Sequence, residues 1–178
     1  GAALMESEWR TSWFTKRALP LWEKHLVPLG PFSSYLEVGV SEGQSMLWAA
    51  EYLLKPDAKI VGIDWYRPSR QKFASNVEFV GDVKTRALRN LKPLMDSGRL
   101  RLLDNDSRTA WSQLTIDRRG FALVYIDGSH RACDAIVDMC LAWEMLEPLG
   151  VMCVDDLHLN SERRRSAEPK VAEAVAAF

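Results

Sequence analysis

The chain lacks the features that mark a secreted, membrane-bound or nucleic-acid-binding protein. Its 178 residues hold only three cysteines, Cys133, Cys140 and Cys153, an odd set without the spacing of a zinc site or a disulfide framework. Cys133 and Cys140 stand seven apart in a helical pattern and so share one face. No apolar run approaches the ~20 residues that a membrane helix needs. No signal peptide is readable either: Gly1-Ala-Ala-Leu4 ahead of Met5 reads as an added remnant before a native start. The formal net charge of -1 gives no broad pull toward nucleic acid or a membrane surface. No internal repeat or low-complexity linker divides the chain. What remains is the expectation of a cytoplasmic protein of one domain, with 47% apolar residues to build its core.

Apolar runs alternate with amphipathic stretches from residue 35 onward. The pattern predicts strands at 35–40, 59–64, 99–104, 121–126 and 150–154, and helices at 42–54, 70–96, 107–114, 131–147 and 167–177. Ahead of these, Trp9, Trp13, Phe14, Leu19, Trp22, Leu26 and Val27 fall near helical spacing. They predict one or two helices broken near Pro20 and packed over the sheet. Strands alternating with helices call for a doubly wound α/β fold, a mostly parallel Rossmann-like sheet with helices on both faces. An N-terminal helical segment takes residues 1–30 and the Rossmann-like domain takes 31–178.

The most informative stretch is Tyr35-Leu-Glu-Val-Gly-Val-Ser-Glu-Gly43. It reads as a buried strand turning sharply into a helix, with Gly39 and Gly43 where a ligand presses against backbone. Ser41 and Gln44 are spaced as a capping box. Dinucleotide-binding turns use G-x-G-x-x-G to hold a diphosphate on bare amides. Here the spacing is Gly-x-x-x-Gly, and Glu37 and Glu42 beside the helix start would repel a diphosphate. Those carboxylates suit a ligand with an ammonium or sulfonium group and no phosphate, such as S-adenosylmethionine. Asp64, closing the second strand about twenty residues on, is placed to bind ribose hydroxyls, or else to cap its own loop.

A second block is Tyr125-Ile-Asp127-Gly-Ser-His130, followed one strand later by Val154-Asp155-Asp156. Adjacent strands would bring Asp127, Asp155 and Asp156 together, where three carboxylates repel one another unless a cation neutralises them. Oxygen-only donors suit Mg²⁺. Alternatively the acids orient a cofactor and cap loops. His130 is the candidate general base, or a structural residue of its turn. His158 and Asn160 touch substrate or lie on a solvated loop, and Arg163-Arg164-Arg165 is a solvated run or a clamp for an anionic substrate.

The E-x-G-x-x-x-G signature resembles motif I of class I S-adenosylmethionine-dependent methyltransferases. The series I-D-G-x-H, L-x-P-L-G and D-D, with a helix carrying Asp134 and Asp138 between them, resembles the group of macrocin O-methyltransferases and cephalosporin hydroxylase-like proteins over roughly residues 13–160. The resemblance implies O-methylation of a small hydroxylated metabolite. It implies S-adenosylmethionine backed by Glu37, Gly39 and Gly43, with Asp64 on the ribose. It implies Asp106 and Ser107 at the adenine, although either could simply cap the helix at 107, and Asn105 stands where a glycine is usual. It implies a divalent metal on Asp127, Asp155 and Asp156. Ser129 replaces the acid that serves as base in the D-G-D relatives, which leaves His130. The family pattern adds two strands after the fifth, so the end at Phe178 implies a missing remainder or an edge covered by another copy. A non-catalytic binding or assembly module is the alternative.

Overall fold

A computed structural model describes residues 7, 9–67, 77–114, 120–157 and 170–178. The apolar runs form five strands: β1 (Phe32–Val38), β2 (Leu54–Asp64), β3 (Leu100–Asp104), β4 (Phe121–Ile126) and β5 (Leu146–Val154). They pair in the order β3-β2-β1-β4-β5, and every pair is parallel. Central β4, Phe-Ala-Leu-Val-Tyr-Ile, is buried at all but its first residue. Such near-continuous apolarity is what a parallel strand between two helical layers requires.

Side chains alternate across the sheet and supply two cores. On one face Tyr35, Leu123 and Tyr125 meet Trp22, Met46, Trp48 and Leu91. On the other, Leu36, Val38, Val124 and Ile126 meet Trp111, Ala135 and Met139. The first face is covered by α1 (Leu19–His25) and α2 (Gln44–Tyr52), and α3 (Val77–Asn90) runs on into the short α4 (Lys92–Asp96) beside it. The second face is covered by α5 (Ser107–Gln113), α6 (Ala132–Met145) and α7 (Val171–Ala177).

Several element boundaries differ from the sequence expectation, with β1 beginning at Phe32 rather than 35 and β2 at Leu54 rather than 59. Pro20 does not break the N-terminal helix: a π-helical stretch, Phe14–Ala18, runs straight into α1, with Pro20 in its first turn. Pro20 thus falls where the winding changes from π to α rather than at a break between two helices. The long helix expected over 70–96 divides at Leu91, with Pro93 opening α4, and its residues 70–76 lie outside the described residues. β5 begins at Leu146 rather than 150. Phe121 pairs with Leu146, the register then shifts, and Leu149 takes φ 68° in the irregular stretch. The Pro-Leu-Gly sequence keeps its local turn character as an unpaired stretch between Leu146 and Val151, where the ladder with β4 resumes.

Candidate active site

Four of the five strands run into an aspartate at their carboxyl ends: Asp64, Asp104, Asp127 and Asp155. β1 instead runs into Gly39. This is the edge at which open α/β sheets bind ligands.

Gly39 adopts φ 93°, and a Cβ there would lie 2.0 Å from the carbonyl oxygen of Asp127. The backbones leaving β1 and β4 therefore touch. At Gly43, φ 87°, a Cβ would lie 2.7 Å from Cγ of Leu91. Both glycines were expected to make room for a ligand; the room is taken by the protein itself. The expected capping box is also absent. Gly43 is the N-cap of α2, without a side-chain bond, while Ser41 at φ 51° donates its amide to Asp64 Oδ2 at 2.8 Å. Asp64 Oδ1 accepts from the Tyr66 amide at 2.8 Å, and the Tyr66 hydroxyl donates to the Ser41 carbonyl at 3.2 Å. Asp64 thus ties the β1–α2 turn to the exit of β2, and burial raises its pKa.

The two glutamates of the turn face inward. Glu37 is fully buried, accepts from Tyr35 Oη at 3.0 Å and from Ser45 Oγ, and burial pushes its carboxyl up to about 8. Glu42 is buried too, ion-paired with Arg86 Nε at 2.7 Å and bound by the Arg10 amide at 2.9 Å. The expectation of two carboxylates open to a cationic ligand is therefore corrected. Arg86 on α3 neutralises Glu42, and Asn90 on the same helix donates to its carbonyl at 3.1 Å.

At the exit of β3, Asp106 is the N-cap of α5 and accepts from the Thr109 amide at 3.1 Å; a bond from the Thr109 side chain, with backbone amides behind it, holds its pKa down. Ser107 bonds Asp138, a buried acid of α6 that also accepts from Trp111 Nε1 at 3.1 Å. The capping reading of Asp106 is thus the one on view. Asp106→Ala should cost about 1 kcal/mol, the usual worth of an acidic cap, read as a lowered midpoint in urea denaturation.

β4 and β5 deliver the acidic centre. The Tyr125 hydroxyl lies 3.2 Å from Asp127 Oδ2 and is hydrogen-bonded to Asp155 Oδ2. Burial, then the charges of Asp155 and Asp156, raise the Asp127 pKa well above its ordinary value. Asp156, at φ 66°, turns to His130, whose Nε2 lies 2.8 Å from its Oδ2. The turn after β4 is pinned by Asp134, which accepts from Ser129 Oγ at 2.9 Å and from Arg108 at 2.8 Å. So Asp127 and Asp155 converge through Tyr125, while Asp156 joins His130. Tyr125 was missed in the sequence, although its place two residues before Asp127 puts both on one face of β4. Crowded carboxylates with a raised pKa suit a hard divalent cation in charge and donor chemistry. As placed, no group of three His, Cys, Asp or Glu among the described residues is arranged to hold one. His158, Asn160 and Arg163 to Arg165 lie outside the described residues.

Comparison with known proteins agrees with this architecture. The family model described as a methyltransferase domain matches residues 36–157. Among solved structures, the O-methyltransferase TomG of Streptomyces achromogenes, involved in tomaymycin synthesis and solved with SAM, is similar at 20% identity and TM-score 0.67, covering 100% of this chain and 76% of that one. An O-methyltransferase from Bacillus cereus in complex with SAH gives 16% identity and TM-score 0.65, covering 99% and 76%. A Klebsiella pneumoniae protein assigned as an O-methyltransferase gives 18% identity and TM-score 0.65, covering 91% of this chain and 66% of that one. The chain thus spans about two thirds to three quarters of the length of these proteins. No curated protein sequence matches it significantly. With the strand order, the Gly39–Gly43 turn and the acid-tipped sheet edge, the match over residues 36–157 places the chain in the methyltransferase-domain family, on a Rossmann-like methyltransferase fold.

Proposed function

We propose that the chain transfers a methyl group from S-adenosylmethionine to a hydroxyl of a small metabolite, with a divalent cation such as Mg²⁺ assisting. The observation that carries this reading is the sheet's carboxyl edge, where aspartates close four strands around a glycine turn that lacks the diphosphate fingerprint. That edge suits a cofactor bearing hydroxyls and positive charge. The SAM and SAH complexes of similar fold support the same choice. Asp64 would hold the ribose, Asp106 and Ser107 the adenine end, and the Gly39–Gly43 turn the methionine end, with Glu37 acting from behind it through Ser45. Asp127, Asp155 and Asp156 would hold the cation. The cofactor supplies an electrophilic methyl on a sulfonium, and the cation supplies charge that makes a hydroxyl easier to deprotonate.

The protein's own share is positioning and proton transfer. Tyr125 orients Asp127 and Asp155 from below. His130, held through Nε2 by Asp156, is the group that would take the acceptor's proton, and Asp156 would stabilise the imidazolium. No covalent enzyme intermediate is needed, because placing the acceptor oxygen in line with the methyl does most of the work.

The test is calorimetric titration of SAM and SAH, with and without Mg²⁺, on the wild type and Asp64→Asn. The expected result is micromolar binding, weakened about tenfold in the variant by loss of one charge-assisted contact. A folded wild-type protein that binds neither would sink the reading. Glu42 neutralised by Arg86 and Asp127 bound to Tyr125 favour, as a second reading, a module that binds the cofactor without turnover. Binding without methyl transfer to any hydroxylated acceptor, with Mg²⁺ present, would select it.

A further inference from the structure

A cleft of about 120 Å³ opens beneath the N-terminal helix, beside the ends of β4 and β5. Its floor is aromatic. The Trp22 and Tyr125 rings meet edge to face at 4.8 Å, and the Cys153 sulfur accepts from the Trp22 indole. Arg17 and Leu21, four apart on the helix and both solvent-facing, form one wall. Asp155 and Asp156 form the other. Arg17 belongs to the π-helical stretch Phe14–Ala18, a local geometry often found at functional sites.

Size and charge together restrict the occupant. An apolar cavity of about 150 Å³ takes one benzene, so this smaller cleft holds at most one six-membered ring, with any substituents reaching beyond it. Its ends differ in sign. The acidic end contains the Tyr125 hydroxyl and Asp155, next to the Asp127 backbone that touches Gly39. The basic end has the Arg17 guanidinium, with no ion pair among the described residues.

We infer that this cleft is the methyl-acceptor site and that the acceptor is a single-ring hydroxy acid, its hydroxyl at the acidic end, where Asp155 and the His130-paired Asp156 stand, and its anionic group at Arg17. The inference rests on the methyltransferase reading above. The ring lies on the apolar floor to which the largely buried Trp22 and Tyr125 contribute, and the guanidinium binds a carboxylate in the fork geometry it favours. The polarity of the cleft sets the ring's direction, so the hydroxyl rather than the acid group meets the reacting edge.

The experiment begins with SAH titration, then titrates 3-hydroxybenzoate, phenol and 3-hydroxybenzylamine into the SAH-saturated protein, or into the unloaded protein if SAH does not bind. The expected order is 3-hydroxybenzoate tighter than phenol by about tenfold, with the amine no better than phenol. Arg17→Gln should bring 3-hydroxybenzoate down to the phenol level without moving phenol, and Leu21→Trp should block all three. Both positions are exposed, so thermal unfolding should stay at the wild-type temperature. A preference for the amine, a hydroxybenzoate preference that survives Arg17→Gln, or no ring binding at all would overturn the inference. SAH binding with no ring binding removes this inference and leaves the cofactor reading intact. Ring binding without SAH binding removes the cofactor reading and, with it, the assignment of the cleft as a methyl-acceptor site.

Discussion

Gly39→Ala should prevent the native sheet edge from forming, and with it any binding of SAH. The added Cβ would lie 2.0 Å from the Asp127 carbonyl oxygen, 2.5 Å from its carbon and 2.8 Å from the Gly128 nitrogen. These are backbone atoms held by the ladder, since the Asp127 amide donates to the Val38 carbonyl at 2.8 Å and the Gly39 amide to the Ile63 carbonyl at 2.8 Å. They cannot swing away as a side chain could. To this collision is added the left-handed backbone, at about 1–2 kcal/mol for a residue with a Cβ. Overpacking in a rigid setting adds about 1–3 kcal/mol or more. The sum is a large part of the roughly 5–15 kcal/mol that a domain has in total. Gly98→Ala is the control, with φ 72° and nothing within 4 Å of the new carbon. It should cost only the backbone share, about 1 kcal/mol. Urea denaturation of the two variants reads the contrast directly, and equal losses would mean that the contact with Asp127 yields easily.

The second large effect concerns pH. Stability of the ligand-free protein should fall as pH rises from about 5 to 8. Glu37 releases its proton near 4.5 in the unfolded chain, whereas burial holds it until about 8 in the folded one. Between those values the native state binds more protons, so the slope of unfolding free energy against pH is negative. Below 4.5 both states are protonated and the difference vanishes; above 8 stability is lowest and levels off. Asp127, Asp64 and Asp138 are raised as well, chiefly by burial, and steepen the same decline. At about 1.4 kcal/mol per pKa unit, Glu37 alone accounts for a change on the order of a few kcal/mol. Glu37→Gln keeps one donor and one acceptor toward Tyr35 and Ser45, as the protonated acid does. Its unfolding midpoint should therefore change less between pH 5 and 8 than the wild type's. Circular dichroism melts across that range test this, and parallel curves for the two proteins would contradict it.

The sequence exposed the framework and hid the partnerships. The runs at 60–63 and 121–126 are continuously apolar, so their strands and the acids that follow them were readable without a structure. Ser41 and Gln44 carry a capping signature that is local in nature. A long-range bond from the Ser41 amide to Asp64 sets that turn instead. Glu42 could not be seen as neutralised because Arg86 lies 44 residues away, on a helix whose approach no spacing foretells. The same holds at the acidic centre. Asp127 and Asp155 were expected to meet, and they do, through a tyrosine hydroxyl contributed by the strand itself. Asp156 stands near enough for its charge to act on Asp127, but its left-handed backbone also turns it to His130, and backbone handedness at a non-glycine residue leaves no mark on the sequence.

The meeting of β1 with β4 also bears on how the molecule comes into being. These strands are neighbours in space, yet Ser34 and Ala122, which bond across them, stand 88 residues apart in the chain. Everything between them must be looped out before the Gly39 turn acquires the Asp127 backbone as its ceiling, and such distant closures slow folding. During synthesis the glycine signature would leave the ribosome long before it had anything to lie against. A nascent chain ending short of residue 121 would hold the motif in full and still present no site.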